Sequence, residues 1–134
     1  MADFQLEIVT PEKRVYSGRV ERFKAPGTEG SFGVLARHAP LLTSLTLGQL
    51  TFLDKEGKVR RMAISGGFAE VGRNQATVLA ETAEFVEEID VARARAARGR
   101  AQERLEQKEE GVDLARAQAA LARALNRLRM SGAV

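Results

Sequence analysis

Residues 84–94, Glu84-Phe85-Val86-Glu87-Glu88-Ile89-Asp90-Val91-Ala92-Arg93-Ala94, mark a change of texture in the chain. Up to about this boundary lie the aromatic residues, the three prolines and most of the glycines; beyond it the chain is mostly alanine, arginine, glutamate, glutamine and leucine. Those residues have high helix propensity, and the upstream mixture of β-branched residues and turn formers favours strands.

Working back from the boundary, Phe4, Leu6 and Ile8 alternate with Gln5 and Glu7, the period-2 pattern of a strand buried on one face, and Thr10-Pro11 stops it. Short apolar runs follow at Val15–Tyr16, Val20–Phe23, Gly33–Leu35, Leu41–Leu45, Leu50–Leu53, Val59–Ile64, Phe68–Val71 and Thr77–Leu79. Asp54-Lys55-Glu56-Gly57 and Gly72-Arg73-Asn74 read as hairpin loops. Many short strands at this spacing predict an all-β sandwich or barrel over residues 1–84.

Working forward, Asp90 is placed to cap a helix running to about Gln107, Lys108-Glu109-Glu110-Gly111 is a break, and Asp113 caps a second helix ending near Arg129. Leu114, Ala117, Leu121, Ala124, Leu125 and Leu128 draw one apolar stripe on the second helix. The first offers Ala94, Ala97, Ala101 and Leu105. Two helices joined this way predict an antiparallel hairpin over residues 85–134, held by alanine-lined contacts and so only marginally fixed in one arrangement.

Composition narrows the function classes. Hydrophobic residues are 44% and charged residues 29% of the 134, as in a globular protein. No run approaches the roughly 18 apolar residues of a membrane-spanning helix, and Met1-Ala2-Asp3-Phe4 does not open a basic-then-apolar leader, so a cytoplasmic protein without a cleaved signal is expected. There is no cysteine and a single histidine, His38, so no metal cluster is expected. The net charge of +3 leans basic, and most of the cations are arginine, suited to carboxylates and phosphates. Interspersed acids and the lack of aromatics in the helical half argue against nucleic acid as a partner.

Catalytic patterns are missing. Gly27, Gly30 and Gly33 lack the Gly-Lys-Ser/Thr ending of a phosphate loop, Ser65-Gly66-Gly67 is not a nucleophile elbow, and no motif sets a catalytic partner beside His38. We therefore expect no enzymatic activity of the chain's own.

Several fragments together resemble the epsilon subunit family of bacterial F-type ATP synthases. They are Val9-Thr10-Pro11 with Val15-Tyr16, Gly33-Val34-Leu35 with His38-Ala39-Pro40-Leu41, and Ser65-Gly66-Gly67-Phe68 with Glu70-Val71, in order and nearly spanning the chain. Ala36-Arg37 stands where the family often has Pro-Gly. The resemblance implies a sandwich of about ten strands that grips the gamma subunit and sits on the c-subunit ring, and a helical hairpin that extends towards the alpha and beta subunits to inhibit ATP hydrolysis. It also implies a peripheral place on the cytoplasmic face of the bacterial membrane, with membrane contact only through the complex.

Ile89-Asp90-Val91-Ala92-Arg93-Ala94 resembles the nucleotide motif of family members that bind ATP, and Arg123 and Arg127 match its second-helix arginines. Arg93 and Arg100 are seven apart and Arg123 and Arg127 four apart, so each pair shares a helix face. The resemblance adds Glu84 and Ala94 to this set and makes ATP a regulatory ligand; no cofactor is required. The alternative is that Asp90 only caps and the arginines form a solvated face. Another reading is a free-standing nucleotide sensor with the sandwich as scaffold.

Overall fold

The computed structural model describes residues 2–107 and 113–133; the break expected at Lys108-Glu109-Glu110-Gly111 lies outside them. The chain divides into two compact units, Met1–Phe85 and Val86–Val134.

The first unit contains seven strands: β1 (Phe4–Val9), β2 (Arg14–Gly27), β3 (Gly30–Leu35), β4 (Leu41–Leu45), β5 (Gly48–Asp54), β6 (Val59–Val71) and β7 (Gln75–Phe85). All pairings are antiparallel except β1 with β7. The pairings β1–β2, β2–β5, β5–β6, β6–β7 and β7–β1 close a ring, with β3 and β4 added outside it.

Seven strands form where the resemblance implied about ten, because three are long enough to serve both layers. Residues 14–20 of β2 pair with β1, whereas residues 20–27 pair with β5 and β3. Residues 59–64 of β6 lie beside β5 and residues 67–71 beside β4, while β7 follows β6 along most of its length. Val15–Tyr16 and Val20–Phe23 are thus one strand, as are Val59–Ile64 and Phe68–Val71. Ser65-Gly66-Gly67 carries β6 through without ending it.

At each crossover the strand changes the face it turns inward. In β2, Val20 is buried before an irregularity at Glu21, and Phe23 and Ala25 are buried after it. In β6, Met62 and Ile64 are buried before Gly66 and Gly67, and Ala69 and Val71 after them. The two glycines have φ of 59° and 119°, in the left-handed half of conformational space that a side chain disfavours. β7 makes the matching change between Ala80 and Phe85.

The inward residues form one apolar cluster drawn wholly from residues 4–85, including Leu6, Ile8, Phe23, Leu50, Met62, Ile64 and Val78. Tyr16, Phe52 and Phe85 form a ring triad, with centroids 4.5 Å apart for Tyr16 and Phe52, 6.3 Å for Phe52 and Phe85 and 6.4 Å for Tyr16 and Phe85. The N-terminal edge is tied down by Arg19, whose Nε donates to the Asp3 carboxylate at 2.9 Å. That hydrogen bond holds the Asp3 carboxyl below its ordinary pKa.

The expected turns form. Asp54 Oδ1 accepts from the amides of Glu56 and Lys58, and Gly57 has a φ of 83°. Gly72 N–H donates to the Gln75 carbonyl. The turn after β3 is kept despite Ala36-Arg37, because Arg37 itself adopts a φ of 64° and His38 N–H donates to the Leu35 carbonyl. A non-glycine residue there is strained by its Cβ, while glycine brings its own chain-entropy cost. Arg37→Gly is therefore expected to raise stability by about 0.5–1 kcal/mol, seen as a higher urea midpoint with an unchanged slope.

The second unit opens with a 3-10 turn at Val86–Glu88, which the periodicity did not signal, and continues as α1 (Val91–Gln107) and α2 (Leu114–Ser131). The helices pack on each other as a hairpin. Ala94 and Ala101 are buried from α1, and Ala117, Ala124 and Leu128 from α2. Ala97, Leu105, Leu121 and Leu125 are half-buried at the margins. Leu114 departs from the expected stripe and is exposed; Met130, off the stripe, is buried. Gly132 ends α2 in the left-handed conformation with a φ of 81°.

Candidate functional site

The arginine-rich faces of the hairpin follow from how its helices start and what they bury. Asp90 Oδ1 accepts from Arg93 N–H at 3.0 Å and Asp113 Oδ1 from Arg116 N–H at 3.1 Å, each satisfying a first-turn amide that the helix cannot. Both capping assignments hold. Replacing Asp113 by alanine is expected to cost about 1 kcal/mol, read as reduced helicity and an earlier melt by circular dichroism.

With the small residues turned inward, the arginines face outward. α1 carries five, at 93, 95, 98, 100 and 104, and α2 four, at 116, 123, 127 and 129, against glutamates only at 103 and 106. Arg93 and Arg100 are exposed, and Arg123 and Arg127 half-buried. Arg93 lies in the first turn of α1 and Arg127 near the end of α2, both towards the open end of the hairpin. Ile89 is half-buried and Asp90 exposed just ahead of α1; Ala94 is buried. Glu84 belongs to the other unit, in β7, paired across the ladder with Ala63.

A second surface, which the sequence reading did not identify, lies on the outside of the sandwich. Phe68 on β6 is directly opposite Leu79 on β7, and Leu42 on β4 lies diagonally across from Phe68. They are 55%, 50% and 71% exposed, against the polar neighbours Ser44, Glu70 and Thr77. The signal was the face change at Gly66-Gly67: with Ala69 and Val71 inward, Phe68 must point out. Grouped on one face, these side chains are a candidate contact surface.

His38 Nδ1 lies 2.6 Å from the Ala39 carbonyl oxygen, within its own turn. Ser65 Oγ, nearly buried, is 2.6 Å from Thr82 Oγ1 across the β6–β7 ladder. Among the described residues no cluster of histidines and carboxylates is placed to hold a metal, and no helix is long and apolar enough to cross a membrane.

Comparison with known proteins agrees with this two-part architecture. Residues 3–86 match the family model of the ATP synthase delta/epsilon chain β-sandwich domain, and residues 87–132 that of its long α-helix domain. The chain is 56% identical over 104 residues to an ATP synthase epsilon chain of Pelotomaculum thermopropionicum, covering 78% of this chain and 77% of that one. It is 49% identical over 134 residues to that of Moorella thermoacetica, covering both chains completely. Its fold is similar to a chain in the mitochondrial ATP synthase of Euglena gracilis, OSCP/F1/c-ring in rotational state 1, with a TM-score of 0.76 and 27% identity over 91% of this chain and 77% of that chain. With both domain models matched in order and a full-length relative at 49% identity, the chain belongs to the ATP synthase delta/epsilon chain family.

Proposed function

We propose that the chain is a non-catalytic central-stalk subunit of a rotary ATP synthase, coupling the gamma subunit to the c ring while its helical unit restrains ATP hydrolysis. The observation that carries this reading is the ordered match of both domains to the family, from residue 3 to residue 132. Its site is peripheral, at the cytoplasmic face of the membrane.

The apolar outer face at Leu42, Phe68 and Leu79 suits a stable contact with gamma, since burying it removes large hydrophobic side chains from water. The arginines of α1 and α2 suit two anionic partners. Extended, they meet acidic surfaces of the alpha and beta subunits; folded, the Arg93, Arg100, Arg123 and Arg127 set receives the phosphates of ATP, for which guanidinium groups are well-matched donors. Asp90 already accepts the Arg93 amide through one carboxylate oxygen, leaving its other oxygen for an adenine amino group. Ile89 and Ala94 complete the set proposed within the helical unit. ATP shifts the hairpin towards the folded form only as far as it binds that form more tightly.

Calorimetric titration of the full chain with ATP tests the nucleotide part. Saturable binding that an Arg93→Ala, Arg127→Ala double variant loses supports it; no binding by the unaltered chain removes ATP from the account. Copurification with gamma, weakened by Phe68→Glu, separates the stalk role from a free nucleotide sensor, which predicts no copurification.

A further inference from the structure

Across the outer face of β3, β2, β5 and β6 runs a groove of about 370 Å³ that the proposed stalk contacts do not use. Ladder pairing orders its side chains in two rows. One is Leu35, Arg22, Leu53 and Val59; the other is Gly33, Lys24 and Thr51. Leu35 and Val59 are 63% and 56% exposed, so apolar groups stand on both sides of the Arg22 position.

The cations of this groove lack neutralising partners. Arg22 and Lys24 make no ion pair and no side-chain hydrogen bond among the described residues. Glu21 lies in a neighbouring hollow with Arg22, Leu35 and Ala36, without an ion pair to Arg22. No acid belongs to either row. Next to Lys24, Gly33 leaves the floor open: a Cβ there would meet nothing closer than the Phe23 carbonyl oxygen at 3.9 Å.

We propose that this groove is a binding site for a small amphiphilic anion of the medium-chain fatty-acid class. The carboxylate lies over Gly33 between Arg22 and Lys24, where the guanidinium can bind it in bidentate fashion. The alkyl chain runs across the strands over Leu53 to Val59. From β3 to β6 the row spans three inter-strand steps, about 14 Å at the usual spacing, a length suited to a medium alkyl chain. The volume falls in the range of small-molecule sites, about 300–1,000 Å³, and the lining combines apolar walls with a few convergent polar groups as such sites do. A free inorganic anion leaves the apolar row uncovered, and a cationic amphiphile is repelled.

The test is titration of the full chain with sodium decanoate below its micelle concentration, followed by amide NMR. Saturable shifts should map to residues 22–24, 33–35, 51–53 and 59. Inorganic phosphate and decyltrimethylammonium should bind at least tenfold more weakly. Arg22→Gln with Lys24→Gln should weaken decanoate at least tenfold, and Gly33→Val, which fills the floor without a backbone clash, should do the same while the remaining spectrum stays native. No saturable shift, shifts centred on the arginines of the helical unit, an equal response to decyltrimethylammonium, or affinity unchanged in both variants would overturn the assignment.

Discussion

Replacing Gly67 by valine is expected to destabilise the sandwich by roughly 4 kcal/mol or more, a large share of the stability of a small domain. At a φ of 119° a side chain is already disfavoured, and a Cβ there would overlap the Leu79 carbonyl oxygen and come within 2.9 Å of the Ala80 Cα. Those atoms belong to the backbone of β7, which is held in the ladder and cannot rotate away. The collision also falls where β6 passes between layers, so relief would pull apart the pairing on which both layers depend. Urea unfolding followed by tryptophan-free probes such as far-ultraviolet circular dichroism should show the loss. Gly33→Val, on an open stretch of β3, is the internal control and should remain close to the parent.

Phe52→Ala is expected to cost about 3–5 kcal/mol, the usual penalty for removing a buried aromatic ring. Phe52 is 2% exposed and packs in a triad with the Tyr16 and Phe85 rings, so its loss leaves a cavity bordered by both. Leu42→Ala, a change of similar character at an exposed position, should move stability by less than about 0.5 kcal/mol. The contrast between the two separates core packing from contact surface, and it is measured by the same denaturation experiment.

Local patterns carried much of the fold. The alternation in Phe4–Ile8 gave a strand with its buried face assigned, and the position of Asp90 and Asp113 ahead of Ala/Arg-rich runs located both helix starts, because caps and periodicity act over a few residues. The long strands were harder to read. Whether Gly66-Gly67 ends a strand or lets it cross between layers depends on pairing with β7, a contact distant in sequence, and the same crossing decides that Phe68 points outward. The apolar face at Leu42, Phe68 and Leu79 and the cationic groove around Arg22 both arise from residues on different strands brought side by side by the ladder. Spacing along one segment cannot express that adjacency.

The candidate nucleotide set divides in the same way. Spacing places Arg93 with Arg100 and Arg123 with Arg127 on their own helix faces, and the hairpin carries both pairs in one unit. Glu84 falls in the sandwich unit, across the boundary from the rest of the set. Arg37 shows the limit of reading turns from composition: the turn tolerates arginine in a conformation that glycine adopts more easily, because the surrounding strands fix the path of the chain.

The most direct measurement is ATP hydrolysis by the assembled synthase sector carrying either the full chain or a form ending at Glu88. The apolar core cluster lies wholly within residues 4–85, so the shortened chain keeps the packing that holds the sandwich together. The shortened chain is expected to copurify with gamma still, and hydrolysis to rise when the helices are absent. Hydrolysis unchanged by the truncation, in complexes shown to contain the shortened chain, would contradict a restraining role for the hairpin.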